Sequence, residues 1–462
     1  MTRPMKAGVE TLLGDPKPAI RSLAWPVMVG MVLQTVYNLT DAFWVAGLGA
    51  DALAAVGFFF PFFFAVFGFS NGMGVGVGSA ISRHIGMNDR EGTNRVATHT
   101  AVLVLIFSVI ITIAGLSVTG SFERILGATP VAAMAEGYAN VIFMGTFFIL
   151  FLAIGSAMLR GEGDAKRTMY VMLVSSLVNI ILDPIFIYGL DMGVTGAAWA
   201  TVLSFIIACI PIFWWIFVKQ DTHIQISLAG FSFSRPITWE IMKVGIPAAV
   251  QHLSMALTTF FLNLIILAVA TTDGVAIYTT GWRVVTIGIT PLIGISTAVV
   301  SVCGAAFGAG IIRKAEEGHL YAIRLGLAIS LAATALVYLG APFIAHAFTY
   351  SEDAAHLYPG LVAFLQTVCF FFPAVSFGIF SASLLQGFGR GMDSLVITLV
   401  RTIGMSVLFS YLFAVTFEWG IMGVWWGLVV GNTIGAFVGF AWARFYTKRL
   451  IRQGGVSGDT VS

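Results

Sequence analysis

Residues 96–119, VATHTAVLVLIFSVIITIAGLSVT, run for 24 positions without an Asp, Glu, Lys or Arg. As a helix rising about 1.5 Å per residue, this stretch is long enough to cross a ~30 Å hydrocarbon core. It is not alone. Runs of roughly 20 to 30 apolar residues recur twelve times along the 462-residue chain, at a length and continuity that indicate membrane-spanning helices. They lie near 19–47, 53–81, 96–119, 131–159, 168–188 and 194–218, then 238–268, 275–307, 319–348, 355–385, 393–416 and 421–447. Only 10% of the residues are charged and 58% are hydrophobic, against about 25% charged in a soluble protein. Mean hydropathy is +0.93. A transmembrane β-barrel would show ~10-residue alternating segments, and none are present.

Charge placement gives the topology. Of the 24 Lys and Arg, all but Arg124, Arg283, Arg324 and Arg401 fall in the N-terminal segment, the even-numbered loops, the C-terminal tail or their immediate flanks. Positive loops stay cytoplasmic, so a multi-pass protein of the cytoplasmic membrane with both termini in the cytosol is expected. The start, MTRPMKAGVETLLGDPKP, has no apolar h-region, so no cleavable signal peptide is expected. Cys209, Cys303 and Cys369 lie inside predicted spans and read as small packing residues. No Gly-Lys pair occurs, which excludes a Walker A phosphate loop. HExxH is also missing, and the seven His lack ligand spacing, so no enzyme and no cofactor are expected.

The chain repeats itself. At a shift near 226 residues, Met158-Leu-Arg160-Gly-Glu162-Gly163 falls on Leu384-Leu-Gln386-Gly-Phe388-Gly389. Gly193–Gly196 falls on Gly420–Gly423, with Pro26 and Pro61 answered by Pro247 and Pro291. Two six-span halves that begin and end on the same side must be parallel repeats, related by a pseudo-two-fold axis along the membrane normal. The predicted fold is an all-α integral membrane protein of twelve helices, two six-helix lobes around a central cavity. The lobes are 1–218 and 238–452, with a cytoplasmic linker at 219–237 and a disordered tail at 453–462. Two rocking bundles suit a secondary transporter.

Of 22 acidic residues, nearly all fall in loops or at span ends, and two do not: Asp41 in the first span and Asp183 in the fifth. A charged Asp at a helix centre costs about 2.5–3.5 kcal/mol even on insertion scales, so such residues generally face a cavity. Tyr37 and Asn38 share the helix face of Asp41, and Asn179 shares that of Asp183. Thr201 on the sixth span can reach the same level. This cluster of oxygens can bind a proton, and it can equally bind Na⁺, with Asp41, Asp183 and Asn179 as the ligands. Candidate cavity residues are Gln34, Asn38, Met31, Ser176 and Tyr138 in the first half. Gln251 and Met255 are their counterparts in the second. Methionine suits a surface that adapts to varied shapes. Pro26 weakens the first span and is a candidate bending element.

These residues resemble the MATE family (multidrug and toxic compound extrusion), and most closely its archaeal and DNA-damage-inducible branch. The resemblance rests on Pro26, Tyr37-Asn-Leu-Thr-Asp41, the loop Arg160-Gly-Glu-Gly-Asp164, Asn179-x3-Asp183-Pro184 and the duplicated halves, and it runs from about Gly14 to Arg449. It implies an antiporter that expels amphiphilic, often cationic compounds in exchange for H⁺ or Na⁺. Asp41 is then the cation-coupling acid, surrounded by Tyr37, Asn179, Asp183 and Thr201. Ser156 departs from the pattern, standing where close relatives have Asn. The expected partners are small-molecule drugs and membrane lipid, without nucleic acid, and the expected state is a monomer. A flippase for lipid or lipid-linked oligosaccharide, from the wider superfamily, is the alternative; it calls for a basic cavity, whereas these spans hold few cations and two acids.

Overall fold

The computed structural model describes residues 7–127, 129–350 and 352–454. Most of the tail expected to be disordered lies outside them. The described residues are helical throughout their ordered elements, with no strand among them. The first half comprises α1 (Ala7–Leu13), α2 (Pro16–Ala46), α3 (Ala50–Gly86), α4 (Arg90–Thr119), α5 (Phe122–Leu126), α6 (Pro130–Met144), α7 (Thr146–Gly161), α8 (Ala165–Pro184) and α9 (Gly193–Phe213). The second comprises α10 (Arg235–Val269), α11 (Thr272–Gly308), α12 (Ile312–Phe348), α13 (Tyr358–Val368), α14 (Phe372–Gly387), α15 (Gly391–Leu399), α16 (Leu408–Tyr411) and α17 (Gly420–Arg452). Eleven continuous helical segments are long and apolar enough to cross a membrane, and α6 with α7, bent by 50°, supplies a twelfth.

Local chemistry sets the boundaries. Asp15 accepts from Lys17 N at 2.9 Å and Pro16 opens α2. Asp89 caps α4 by accepting from Gly92 N, and Asp164 caps α8 by accepting from Arg167 N, each supplying an acceptor to an N–H that a helix start leaves unpaired. The fourth span is broken by its bend and the tenth tightens into a 3₁₀ turn, and both irregularities are satisfied alike. At the α6–α7 bend, Thr112 donates to the Phe143 carbonyl at 2.8 Å. At the 3₁₀ turn Cys369–Phe371 between α13 and α14, Thr334 donates to the Cys369 carbonyl at 3.1 Å. A hydroxyl from a neighbouring helix thus replaces the backbone bond lost at the kink.

Each half has its own apolar core. One gathers residues from Val45 to Ile224, with Val9 and Ile241 at its edges; the other runs from Leu262 to Ala443. The first part of α2 crosses between them, since Ile20, Leu23, Ala24 and Val27 pack into the second core. The lobes approach most closely at the end of the bundle that carries Arg83. A Cβ on Gly86 would sit 2.0 Å from the Ala305 carbonyl oxygen, and a Cβ on Gly308 would sit 2.0 Å from that of Arg83. The contact is reciprocal, as a two-fold axis requires. Alongside it, Gly72 and Gly76 admit the backbone of α10 at Ala249 and Ile241. The buried Arg83 reaches Glu240 at 3.0 Å and the Gly387 carbonyl at 3.2 Å. His84 Nε2 lies 3.1 Å from the same Glu240. Toward the opposite end, Leu39 on α2, Phe60 on α3 and Phe260 on α10 are exposed.

The linker is clamped to the first lobe. Glu162, buried in the loop between α7 and α8, accepts from His223 N at 2.7 Å and Ile224 N at 3.2 Å. Burial pushes its carboxyl up to about 7, against the pull of those two N–H groups.

Replacing Gly86 or Gly308 with Ala forces two backbones apart, and overpacking of this kind costs about 1–3 kcal/mol. Both variants are expected to lower the melting temperature of the purified protein, the double variant more than either. An unchanged melting temperature for both would show that the close approach is not a constraint.

Candidate functional site: a carboxyl pair beside a first-lobe cavity

α2 and α8 pack against each other through their length, and each delivers one acid. Pro184 does not end α8 but passes it into a π-helical turn, Ile185–Gly189. Tyr188 on that turn donates to the Trp44 carbonyl at 2.6 Å, and the two rings sit 6.0 Å apart. This ties the end of α2 to the end of α8 and brings Asp41 against Asp183, their carboxyls within hydrogen-bonding reach of each other. Asp183 and Asn179 are fully buried, and Asn179 Nδ2 donates to Asp183 Oδ1 at 3.3 Å.

The acceptors then outnumber the donors. Oδ1 of Asp41, Oδ2 of Asp183 and Oδ1 of Asn179 are buried with no hydrogen-bond donor. Buried polar atoms left unpaired cost about 1–3 kcal/mol each, more when charged. Facing carboxyls in a dry setting favour a shared proton or a bound cation. The three orphaned oxygens belong to the trio proposed for Na⁺, a hard cation that takes oxygen ligands. No group of three or more His, Cys, Asp and Glu with metal-binding geometry exists among the described residues.

Next to the pair, past Tyr37, lies a cleft between the first-lobe helices. Gln34, Tyr37, Asn71, Ser156, Ser175 and Ser176 supply its polar lining, and Phe67, Leu152, Met172 and Phe205 its apolar faces. Arg160 also lines it. Tyr37 belongs both to this wall and to the surroundings of the two acids. Of the residues singled out from sequence, Gln34, Tyr37 and Ser176 meet here. Thr201 is buried on α9, and its hydroxyl makes no hydrogen bond to either carboxyl. Tyr138 packs its ring 5.4 Å from that of Phe59, within electrostatic range of both acids.

Others stand elsewhere. Asn38 is exposed on α2 and is not part of the cleft lining, one residue's turn of about 100° from Tyr37. Met31 packs on the second-lobe core. Gln251 is engaged with Gln386 at 3.0 Å and Ser394 at 2.9 Å, and Met255 is 43% exposed. This cleft is lined by first-lobe residues, so counterparts in the other lobe do not line it. Sequence reading missed Asn71, Arg160 and Phe205 as cavity residues. Arg160 carried a signal in the duplicated Arg160-Gly-Glu-Gly loop, whereas Phe205 looked like ordinary span residues.

A family model, MatE, matches the chain twice, over residues 26–185 and 247–412. The chain belongs to the MatE family. The two matches fall on the two lobes, as the internal repeat requires. Among curated relatives, the multidrug export protein MepA of Staphylococcus saprophyticus is 27% identical over 412 residues, covering 88% of this chain and 89% of the relative. Two solved structures are each 44% identical with a TM-score of 0.94, covering 97% of this chain and 100% of theirs. One is described as an outward-facing conformation of a multidrug resistance MATE family transporter of the MOP superfamily. The other is a MOP superfamily transporter from Pyrococcus furiosus whose reversed pocket polarity is said to suggest a different function. This chain is thus a multi-pass helical membrane protein with the two-lobe MatE fold.

Asp41→Asn gives the orphaned oxygens opposite it an amide donor of the same shape. The variant is expected to melt at or above the temperature of the parent protein. A loss of more than about 1 kcal/mol, the net worth of one hydrogen bond, would show that the pair is not short of donors.

Proposed function

We propose that this protein is a cation-coupled multidrug antiporter, exporting amphiphilic, often cationic compounds in exchange for H⁺ or Na⁺ bound at Asp41 and Asp183. The observation that carries the reading is the donor deficit at the two acids, one turn of α2 beyond the cavity wall at Tyr37. A cation arriving there supplies what the orphaned oxygens lack. Relatives named for multidrug export support the cargo class, and the flippase alternative finds no support in that name.

With the termini in the cytosol, the Arg83–Glu240 end is the cytosolic end, and the lobes are closed there. The acids and Tyr37 then sit toward the outer side, and the state described is outward-facing. α2 runs unbroken through Pro26. A bend at Pro26, where the ring removes one backbone hydrogen bond, would carry Gln34, Tyr37 and Asp41 together and remodel the cavity wall. That couples ion binding to cargo release through one element.

The energy suffices. Each charge moved inward gains about 2.3 kcal/mol per 100 mV, and a five- to tenfold preference for one conformation needs only about 1–1.4 kcal/mol of differential binding.

The test is ethidium transport in proteoliposomes with H⁺ and Na⁺ gradients imposed separately. One gradient is expected to drive transport by the parent protein, and both Asp41→Asn and Asp183→Asn should reduce it at least tenfold. Full transport by either variant would overturn the assignment of the acids. Restricting the bend with Pro26→Ala is expected to slow turnover while leaving ethidium binding intact, as read by fluorescence titration.

A further inference from the structure

Arg160 ends α7 and lines two spaces at once: the first-lobe cavity, and a narrow crevice against α11 formed with Leu23, Val27, Thr297 and Ser301. It is therefore level with Leu23 and Val27 on α2. Tyr37 is ten residues beyond Val27, about 15 Å along the helix. The cavity is bipolar, with the two acids near one end and a guanidinium at the other.

That guanidinium forms no ion pair and no hydrogen bond among the described residues. The nearby acids are committed elsewhere. Glu162 holds the His223 and Ile224 amides, and Asp164 caps α8 and pairs with Arg167 at 3.3 Å. The other lobe shows what a satisfied version looks like. Gln386, the counterpart of Arg160 in the repeat, is neutral and buried, and it donates to Gln251, which in turn donates to Ser394. At the matching first-lobe positions stand Gly30 and Thr168. A Cβ on Gly30 would meet Met172 Sδ at 2.6 Å, so the methionine occupies the place of a polar side chain there. Thr168 already donates to the Ser156 carbonyl at 3.1 Å. One lobe closes this polar position internally, and the other leaves a five-donor cation facing a cavity.

We infer that Arg160 reads an anionic group on the ligand: it takes the carboxylate or phosphate of an amphiphile whose apolar body lies against Phe67, Leu152, Met172 and Phe205. A guanidinium presents a planar fork that matches either anion. A cationic group on the same molecule faces the acids, so zwitterionic amphiphiles fit both ends. The inference rests on the export reading only in treating that amphiphile as cargo.

The test uses the full chain in non-ionic maltoside micelles and two dyes that differ by one group, rhodamine 110 with a free carboxylate and rhodamine 123, its methyl ester. Fluorescence anisotropy gives the ratio of their dissociation constants, in which any general damage to the cavity cancels. The parent protein is expected to favour rhodamine 110 by about tenfold, as for one charge-assisted hydrogen bond. Arg160→Gln should bring the ratio near one, and Arg160→Lys should keep most of it. A ratio near one in the parent protein, or one unchanged in Arg160→Gln, overturns the inference. Competition identifies the source of the anion. Displacement of rhodamine 110 by lysophosphatidylglycerol and not by monooleoylglycerol supports a lipid phosphate, and displacement by neither supports a small-molecule carboxylate. Equal displacement by both means apolar filling alone and overturns it. Should the parent protein fail to transport rhodamine 123 in proteoliposomes while the binding ratio holds, the export reading falls and the anion site stands.

Discussion

Two carbonyl oxygens, those of Arg83 and Ala305, occupy the space that a side chain would need on the glycine opposite. Because α3 and α11 can approach this closely, the two lobes meet backbone to backbone at one end of the bundle. Lipid offers no hydrophobic drive for helices to associate, so association depends on close packing and on polar contacts between them. Both are present: glycines at 72, 76, 86 and 308 permit the approach, and Arg83 bridges to Glu240 and Gly387 across it. An ion pair held away from water is strongly destabilised when one partner is lost. A lobe contact built this way is suited to being all or none, open or shut.

The duplication conserves backbone and discards chemistry. Thr112 and Thr334 patch equivalent kinks, and Gly163 and Gly389 turn the equivalent loops with φ of +88° and +76°, where a left-handed backbone favours glycine. The functional side chains do not repeat. At shifts of 221 and 226 residues, Asp41 and Asp183 fall on Leu262 and Phe409, and Leu262 is fully buried in the second core. Arg160 falls on the satisfied Gln386. One lobe is closed at these positions, and the other holds the donor-poor oxygens of the two acids, the cleft beside them and a guanidinium with no partner among the described residues. Because α2 belongs to the chemistry at its far end and packs into the opposite core at its near end, an event at Asp41 can be felt at the lobe interface.

Much of this was legible from residue order. Spans need only apolar length, and a carboxyl inside one is conspicuous because hydrocarbon tolerates so few. Tyr37 with Asp41, and Asn179 with Asp183, follow from i, i+4 geometry within one helix. Less legible was any side-chain direction that depends on a second helix. Asn38 is one position from Tyr37, and a single residue turns the chain about 100° away. Met31 and Gln251 have partners more than a hundred positions away in sequence. Arg160 looked like one more cytoplasmic-loop cation, since nothing in its own neighbourhood shows that Glu162 is occupied by amides some sixty positions away.

The order of residues by itself determined that the chain is twelve apolar spans in two parallel halves with two acids confined to the first. Those properties are local or periodic, and hydrophobicity, charge and repetition record them directly. Only the tertiary structure decided that the two acids meet without enough donors, that first-lobe residues line the cleft beside them, and that Arg160 enters it with no partner among the described residues. Each of these depends on which atoms of distant helices come within about 3 Å, a relation that no single segment contains.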